Sequence, residues 1–164
     1  RWKRYDLGKG YFIGSITELS NGEVYAMGHL SDESAPLDSS GTYLFKFNGI
    51  SWNRVDSVMN SEQDPHMGQA VYSWQTELYS LGPNVYFASS NGWTKVVSGR
   101  IGQMSKSSET SLIAVGSQSL YFNGARWIEL LDVHPLLESS CLTTDIHLFV
   151  VTNDGYRTIV YHGK

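Results

Sequence analysis

The chain has 164 residues, 41% hydrophobic and 13% aromatic, enough to bury roughly 70% of its unfolded surface around one core. Sixteen glycines against four prolines favour many short strands joined by tight turns, so the class expected is all-β. A formal charge of −4 argues against a nucleic-acid or anionic-membrane surface, which needs a basic footprint, and favours a basic partner. Cys141 stands alone, which excludes an internal disulfide and suits the reducing cytoplasm. No apolar run reaches 18 residues, so a monomeric cytoplasmic protein is the expectation, with a trimmed leader left open because the chain begins at Arg1.

In chain order, RWKRYDL at 1–7 reads as a strand that lacks a neighbour of its own. FIGSITEL at 12–19 is rich in small residues, and EVYAMG at 23–28 is almost continuously apolar. A long polar loop, LSDESAPLDSSG at 30–41, leads into TYLFKFNGISWNRV at 42–55, a strand, turn and strand. A second loop follows at 57–67, SVMNSEQDPHM, and then the pattern returns: GQAVYSW at 68–74, ELYSLG at 77–82 and NVYFASSNGWTKVV at 84–97. The third copy is IGQMSKS at 101–107, SLIAVG at 111–116 and SLYFNGARWIELL at 119–131. The fourth is ESSCLTT at 138–144, IHLFVV at 146–151 and YRTIVYHGK at 156–164, which stops before a tryptophan.

The missing half of that last hairpin stands at the other end. Gly49-Ile50-Ser51-Trp52 and Gly124-Ala125-Arg126-Trp127 share a spacing that Gly163-Lys164-Arg1-Trp2 reproduces when the ends are joined. The architecture this predicts is a single four-bladed β-propeller of four-stranded antiparallel blades, about 41 residues each. The blades span 8–55, 56–97, 98–131, and 132–164 completed by the N-terminal strand 1–7. Small-residue strands are expected innermost, where large side chains would collide. Asn-Gly at 48–49, 91–92 and 123–124 suits type I′ hairpin turns.

Over its whole length the chain resembles the β-propeller superfamily with Kelch-like, tectonin-like or BNR-like blades. SSNGWTKV at 89–96 is similar to an Asp-box turn without the aspartate, and the Kelch Gly-Gly and the Trp-Asp dipeptide are absent. The chain is also similar to small propeller immunity proteins of bacterial polymorphic toxin systems, which implies neutralisation of a basic toxin domain.

Trp2, Trp52, Trp93 and Trp127 share one repeat position and are read as blade packing, with sugar stacking the lesser reading. Trp74 lies off the pattern beside Gln75-Thr76 and is the better ligand-stacking candidate, its burial left open. His29, His66, His134, His147 and His162 are scattered singly, so no metal or other cofactor is expected. Asp32, Glu33 and Asp38 lack the ligand alternation of a calcium loop, and neither a nucleophile elbow nor a phosphate loop is present. Catalysis therefore has no positive case.

Specificity is expected in the two long loops, which propeller topology sends to one face. Asp32, Glu33, Asp38, Glu62 and Asp64 give that face its negative charge, and Met59, His66 and Met67 its adaptable contacts. The first expectation is a non-enzymatic module binding a basic protein. The alternatives are a glycan-binding propeller and a propeller enzyme whose site is not identified.

Overall fold

The computed structural model describes residues 4, 5, 7, 11–30, 41–59, 63–108, 110–130, 140–143, 148–153 and 158–163, and they are all-β. The first sheet comprises β1 (Tyr11–Glu18), β2 (Val24–Leu30), β3 (Gly41–Phe47) and β4 (Trp52–Met59). The second comprises β5 (Ala70–Trp74), β6 (Glu77–Leu81), β7 (Asn84–Ser89) and β8 (Gly92–Ser98), and the third β9 (Ile101–Ser108), β10 (Ser111–Gly116), β11 (Ser119–Phe122) and β12 (Trp127–Glu129). Each is an antiparallel meander with strands in sequence order, the topology of a propeller blade. The fourth sheet has three described strands, β13 (Ser140–Thr143), β14 (Leu148–Asn153) and β15 (Thr158–Gly163). Residues 1–3, 6 and 164 lie outside the described residues, and with them the expected closure by the N-terminal strand. Among the described residues no helix is long and apolar enough to cross a membrane.

The chain divides into two compact units, one of Arg1–Ser80 with Tyr86–Thr94 and one of Leu81–Val85 with Lys95–Lys164. In the first, the core gathers Leu19, Met27, Leu44, Val58, Val71 and Leu78, and a smaller cluster forms around Ala26, Tyr43 and Phe45. In the second, Leu112, Ile113, Ala114 and Val115 of β10 are wholly buried. The apolar runs explain this: a second strand flanked on both sides within its sheet and covered on both faces needs apolar residues at every position instead of alternation.

The small-residue strands pack against one another in two pairs. Strand β1 lies directly against β5, and β9 against β13. Between β1 and β5, Val71 N–H donates to Ser15 Oγ at 2.8 Å, Thr17 Oγ1 donates to Ser73 Oγ at 2.6 Å, and Ser73 Oγ donates to the Glu18 carbonyl at 2.7 Å. Short hydroxyl side chains thus supply hydrogen bonds where larger groups would force the strands apart.

The hairpin turns correct one expectation. Gly49, Gly92 and Gly124 take positive φ, but Asn48, Asn91 and Asn123 do not, so these are not type I′ turns. Instead, Asn48 Oδ1 accepts from Ile50 and Ser51 N–H at 2.9 and 2.8 Å, and Asn123 Oδ1 accepts from Ala125 and Arg126 N–H at 3.1 and 3.0 Å. The asparagine acts through its side chain, as a surrogate backbone acceptor, and only the glycine supplies the left-handed residue.

Close approach of backbone requires glycine at 28, 41 and 116. A Cβ on Gly28 would stand 2.4 Å from the Phe12 carbonyl oxygen, and one on Gly116 would stand 2.0 Å from that of Arg100. Gly28→Ala and Gly116→Ala should each cost about 1–3 kcal/mol by forcing neighbouring strands apart, read as a lowered denaturant midpoint. An unchanged midpoint in both would show that the strands do not approach this closely.

Candidate functional site

Most of the anticipated acidic surface falls outside the described residues. Asp32, Glu33, Asp38 and Glu62 lie outside them. Asp64 is exposed and accepts a hydrogen bond from the Tyr86 hydroxyl. Met59 is half-buried against the cluster around Tyr43, which leaves it part of the packing more than a contact. Met67 is 1% exposed inside the main core, so its reading as a rim contact is corrected: the loop turns inward there and spends the thioether on packing. Trp74 is 8% exposed and is likewise corrected from ligand stacking to core. His66 points elsewhere, to Asp56, with Nε2 3.1 Å from Oδ2.

Asp56, though not His66, lines a cleft of about 300 Å³ within the first unit. Its apolar lining includes Leu19, Leu44 and Leu78, which belong to the main core, together with Ala88 of β7. Strand β4 contributes Val55 and Asp56, the turn before β6 contributes Thr76, and the β7–β8 hairpin contributes Ser89 and Trp93. The turn into β2 adds Asn21 and Glu23, and β2 itself adds Tyr25.

Asp56 enters the cleft because of an irregularity in pairing. Leu44 pairs with Asp56 while Phe45 pairs with Arg54, so Val55 is an inserted residue in β4. Such a bulge rotates the strand and re-aims the following side chain. Val55 is left 51% exposed, and Asp56 becomes an acceptor for three donors. Its Oδ1 takes the Ser57 N–H at 2.7 Å, and its Oδ2 takes the Trp93 indole N–H at 2.7 Å as well as His66 Nε2. The His66 and Trp93 rings stack obliquely, centroids 5.7 Å apart. The indole is therefore held at its edge by a carboxylate and against the imidazole.

Across the lining, Glu23 is held by two partners. Lys46 Nζ pairs with Oε1 at 2.5 Å and the Tyr25 hydroxyl donates to Oε2 at 3.0 Å. The Lys46 hydrogen bond, then that of Tyr25, holds the Glu23 carboxyl below the usual carboxylate range. Lys46 is raised in return, mainly by Glu23, while the Tyr25 hydroxyl is raised chiefly by burial. The next repeat makes the same Glu-x-Tyr contact, Tyr79 donating to Glu77 Oε2 at 2.6 Å, and burial followed by the Glu77 bond pushes the Tyr79 hydroxyl upward.

Sequence reasoning placed Trp93 with the packing tryptophans and did not single out Asp56 or Glu23. One signal was present. Trp52 and Trp127 stand three residues after their turn glycine, whereas Trp93 follows Gly92 directly. Trp52 and Trp127 rest on Phe47 and Phe122, their pairing partners in the adjacent strands, at 5.2 and 5.3 Å. Trp93 turns to Asp56 and His66 instead.

No family model matches the chain, and no curated protein does. Among solved structures it is similar to the alpha-L-arabinanase of Penicillium chrysogenum complexed with arabinobiose, at 14% identity and a TM-score of 0.45. The match covers 96% of this chain and 63% of that one, so the chain spans less than two thirds of its length.

The Glu23–Lys46 pair gives a pH signature. Because the folded Glu23 value is depressed, its stabilisation is present above the ordinary carboxylate range and is lost as pH falls through the lowered value. The Lys46 contribution, from a raised value, is present below the ordinary lysine range and is lost as pH rises through the folded value. Both side chains are over a third exposed, so solvent screening limits the pair to about 1 kcal/mol or less. Lys46→Met should return the Glu23 carboxyl toward its usual range in an NMR titration, and an unmoved titration would remove Lys46 as the cause.

Proposed function

We propose that this chain is a non-catalytic carbohydrate-binding module of propeller-type repeats, with the ligand seated in the first unit's cleft against Trp93. The observation that carries this reading is the fixed indole in the lining of a cleft of about 300 Å³ that combines aliphatic, hydroxyl, amide and carboxylate groups. A sugar presents the matching duality: C–H faces that pack on an aromatic ring and hydroxyls that bond to planar polar groups. The volume lies at the lower end of the roughly 300–1,000 Å³ found for small-ligand sites, which suits a short oligosaccharide end.

Glu23 does not suit the acid role that hydrolysis would need, which favours binding. Glycoside cleavage needs one carboxylic acid that keeps its proton until the bond breaks. Glu23 is driven the other way by Lys46 and Tyr25, so it serves as an acceptor. The reading in which loops 30–41 and 57–67 capture a basic protein depends mainly on Asp32, Glu33, Asp38 and Glu62, which the described structure does not include.

For a glycan that binds, Trp93→Ala should weaken affinity about tenfold or more, the scale of a lost aromatic contact of about 1.5 kcal/mol. Trp52→Ala removes packing outside the cleft and should lower stability while leaving affinity within about twofold of the parent. Titration calorimetry on both variants checks the pair of outcomes; equal losses in the two would point to general unfolding and remove Trp93 from the site.

A further inference from the structure

The charge of the cleft restricts the sugar it can take. Its only formally charged lining residues are Glu23 and Asp56, both acidic, and among the described residues no lysine, arginine or histidine joins them in the lining. Lys46 is nearby but its ammonium is committed to Glu23 Oε1. His66 is committed to Asp56 Oδ2.

Counting acceptor sites sharpens this. An ionised carboxylate offers about four lone-pair positions. Glu23 uses one on each oxygen, for Lys46 and Tyr25, and a third meets the Asn21 side chain, which leaves one. Asp56 uses one on Oδ1, for Ser57 N–H, and two on Oδ2, for Trp93 and His66, keeping one on Oδ1. Two acceptor positions, one on each carboxylate, are left for a ligand, and they call for hydroxyl or ammonium donors. Asn21 Oδ1 accepts the Glu23 N–H at 3.0 Å, so Asn21 is held to the same residue.

Resting on the carbohydrate reading, we infer that this cleft takes neutral and amine-bearing sugars, the amine-bearing ones most tightly, and excludes acidic sugars such as uronates, sialic acids and sulfated residues. An acidic sugar would bring a third negative charge to a partly desolvated surface whose described lining holds two carboxylates and no lysine, arginine or histidine. Lys46, the ammonium beside that lining, is already paired with Glu23, so sharing it with an acidic sugar would weaken that pair. A sugar ammonium, by contrast, meets the open positions of Glu23 and Asp56 directly.

The test is a glycan array carrying matched neutral, amino and acidic oligosaccharides, probed with the whole purified chain, followed by calorimetry on the strongest member of each class. The expected result is binding to neutral and amino sugars, with amino sugars tightest and acidic counterparts at least about tenfold weaker. Glu23→Gln, which removes one charge and releases Lys46, should narrow the gap between acidic and neutral sugars, with the melting temperature checked to show that the variant folds. Acidic sugars binding as well as neutral ones, amino sugars binding no better than neutral ones, or a gap that Glu23→Gln leaves unchanged, would overturn the charge rule while leaving the carbohydrate reading intact. An array with no binding in any class would overturn the carbohydrate reading itself.

Discussion

The first unit depends on two edge strands lying closer than ordinary side chains permit. Strands β1 and β5 meet through Ser15, Thr17 and Ser73, whose hydroxyls bond across the gap to backbone and to each other. Gly14 belongs to the same contact, since a Cβ there would stand 3.1 Å from the Gln69 carbonyl oxygen. At the end of these strands Ser20 N–H donates to the Gln75 carbonyl at 3.0 Å, joining the turn that carries Asn21 to the turn that carries Thr76. Both turns line the cleft, so the spacing of the small-residue strands fixes its width at one end.

The cleft is held at its other side by Asp56. One carboxylate secures a backbone amide, the indole of Trp93 and the imidazole of His66, and the last of these anchors the loop that also buries Met67 and fixes Gly68 N–H to Ser80 Oγ at 3.0 Å. Each of the three donors stands in for a water that partial burial removes from the carboxylate. The same residue therefore contributes structure and acceptor capacity, and the aromatic ring beside it is immobilised before any ligand arrives, which reduces the entropy cost of binding.

Departure from the repeat marks the site. In the first and third sheets the repeated tryptophan leans on a phenylalanine across its hairpin, a contact internal to the blade. In the second sheet a shorter interval after Gly92 sends Trp93 toward the preceding sheet instead, where the bulge at Val55 has already turned Asp56 to receive it. Repeats supply a frame, and two local irregularities convert one junction of that frame into a cleft.

Read by itself, the sequence determined the all-β class and, for the described strands, their order and approximate limits, the small-residue edge strands and the apolar run that is wholly buried as β10. These follow from local periodicity, turn residues and repetition, which act over a few residues at a time. It did not determine which tryptophan is available. Trp74, the irregular one, is core, and Trp93, one of the regular set, lines the cleft. Nor did it single out Asp56, because a one-residue bulge reverses side-chain direction without leaving a period of its own. The bond from Trp93 to Asp56 spans 37 residues, and Thr17 reaches Ser73 across 56. Only tertiary structure sets such distances, because they depend on how whole sheets are laid side by side, and no local pattern carries that information.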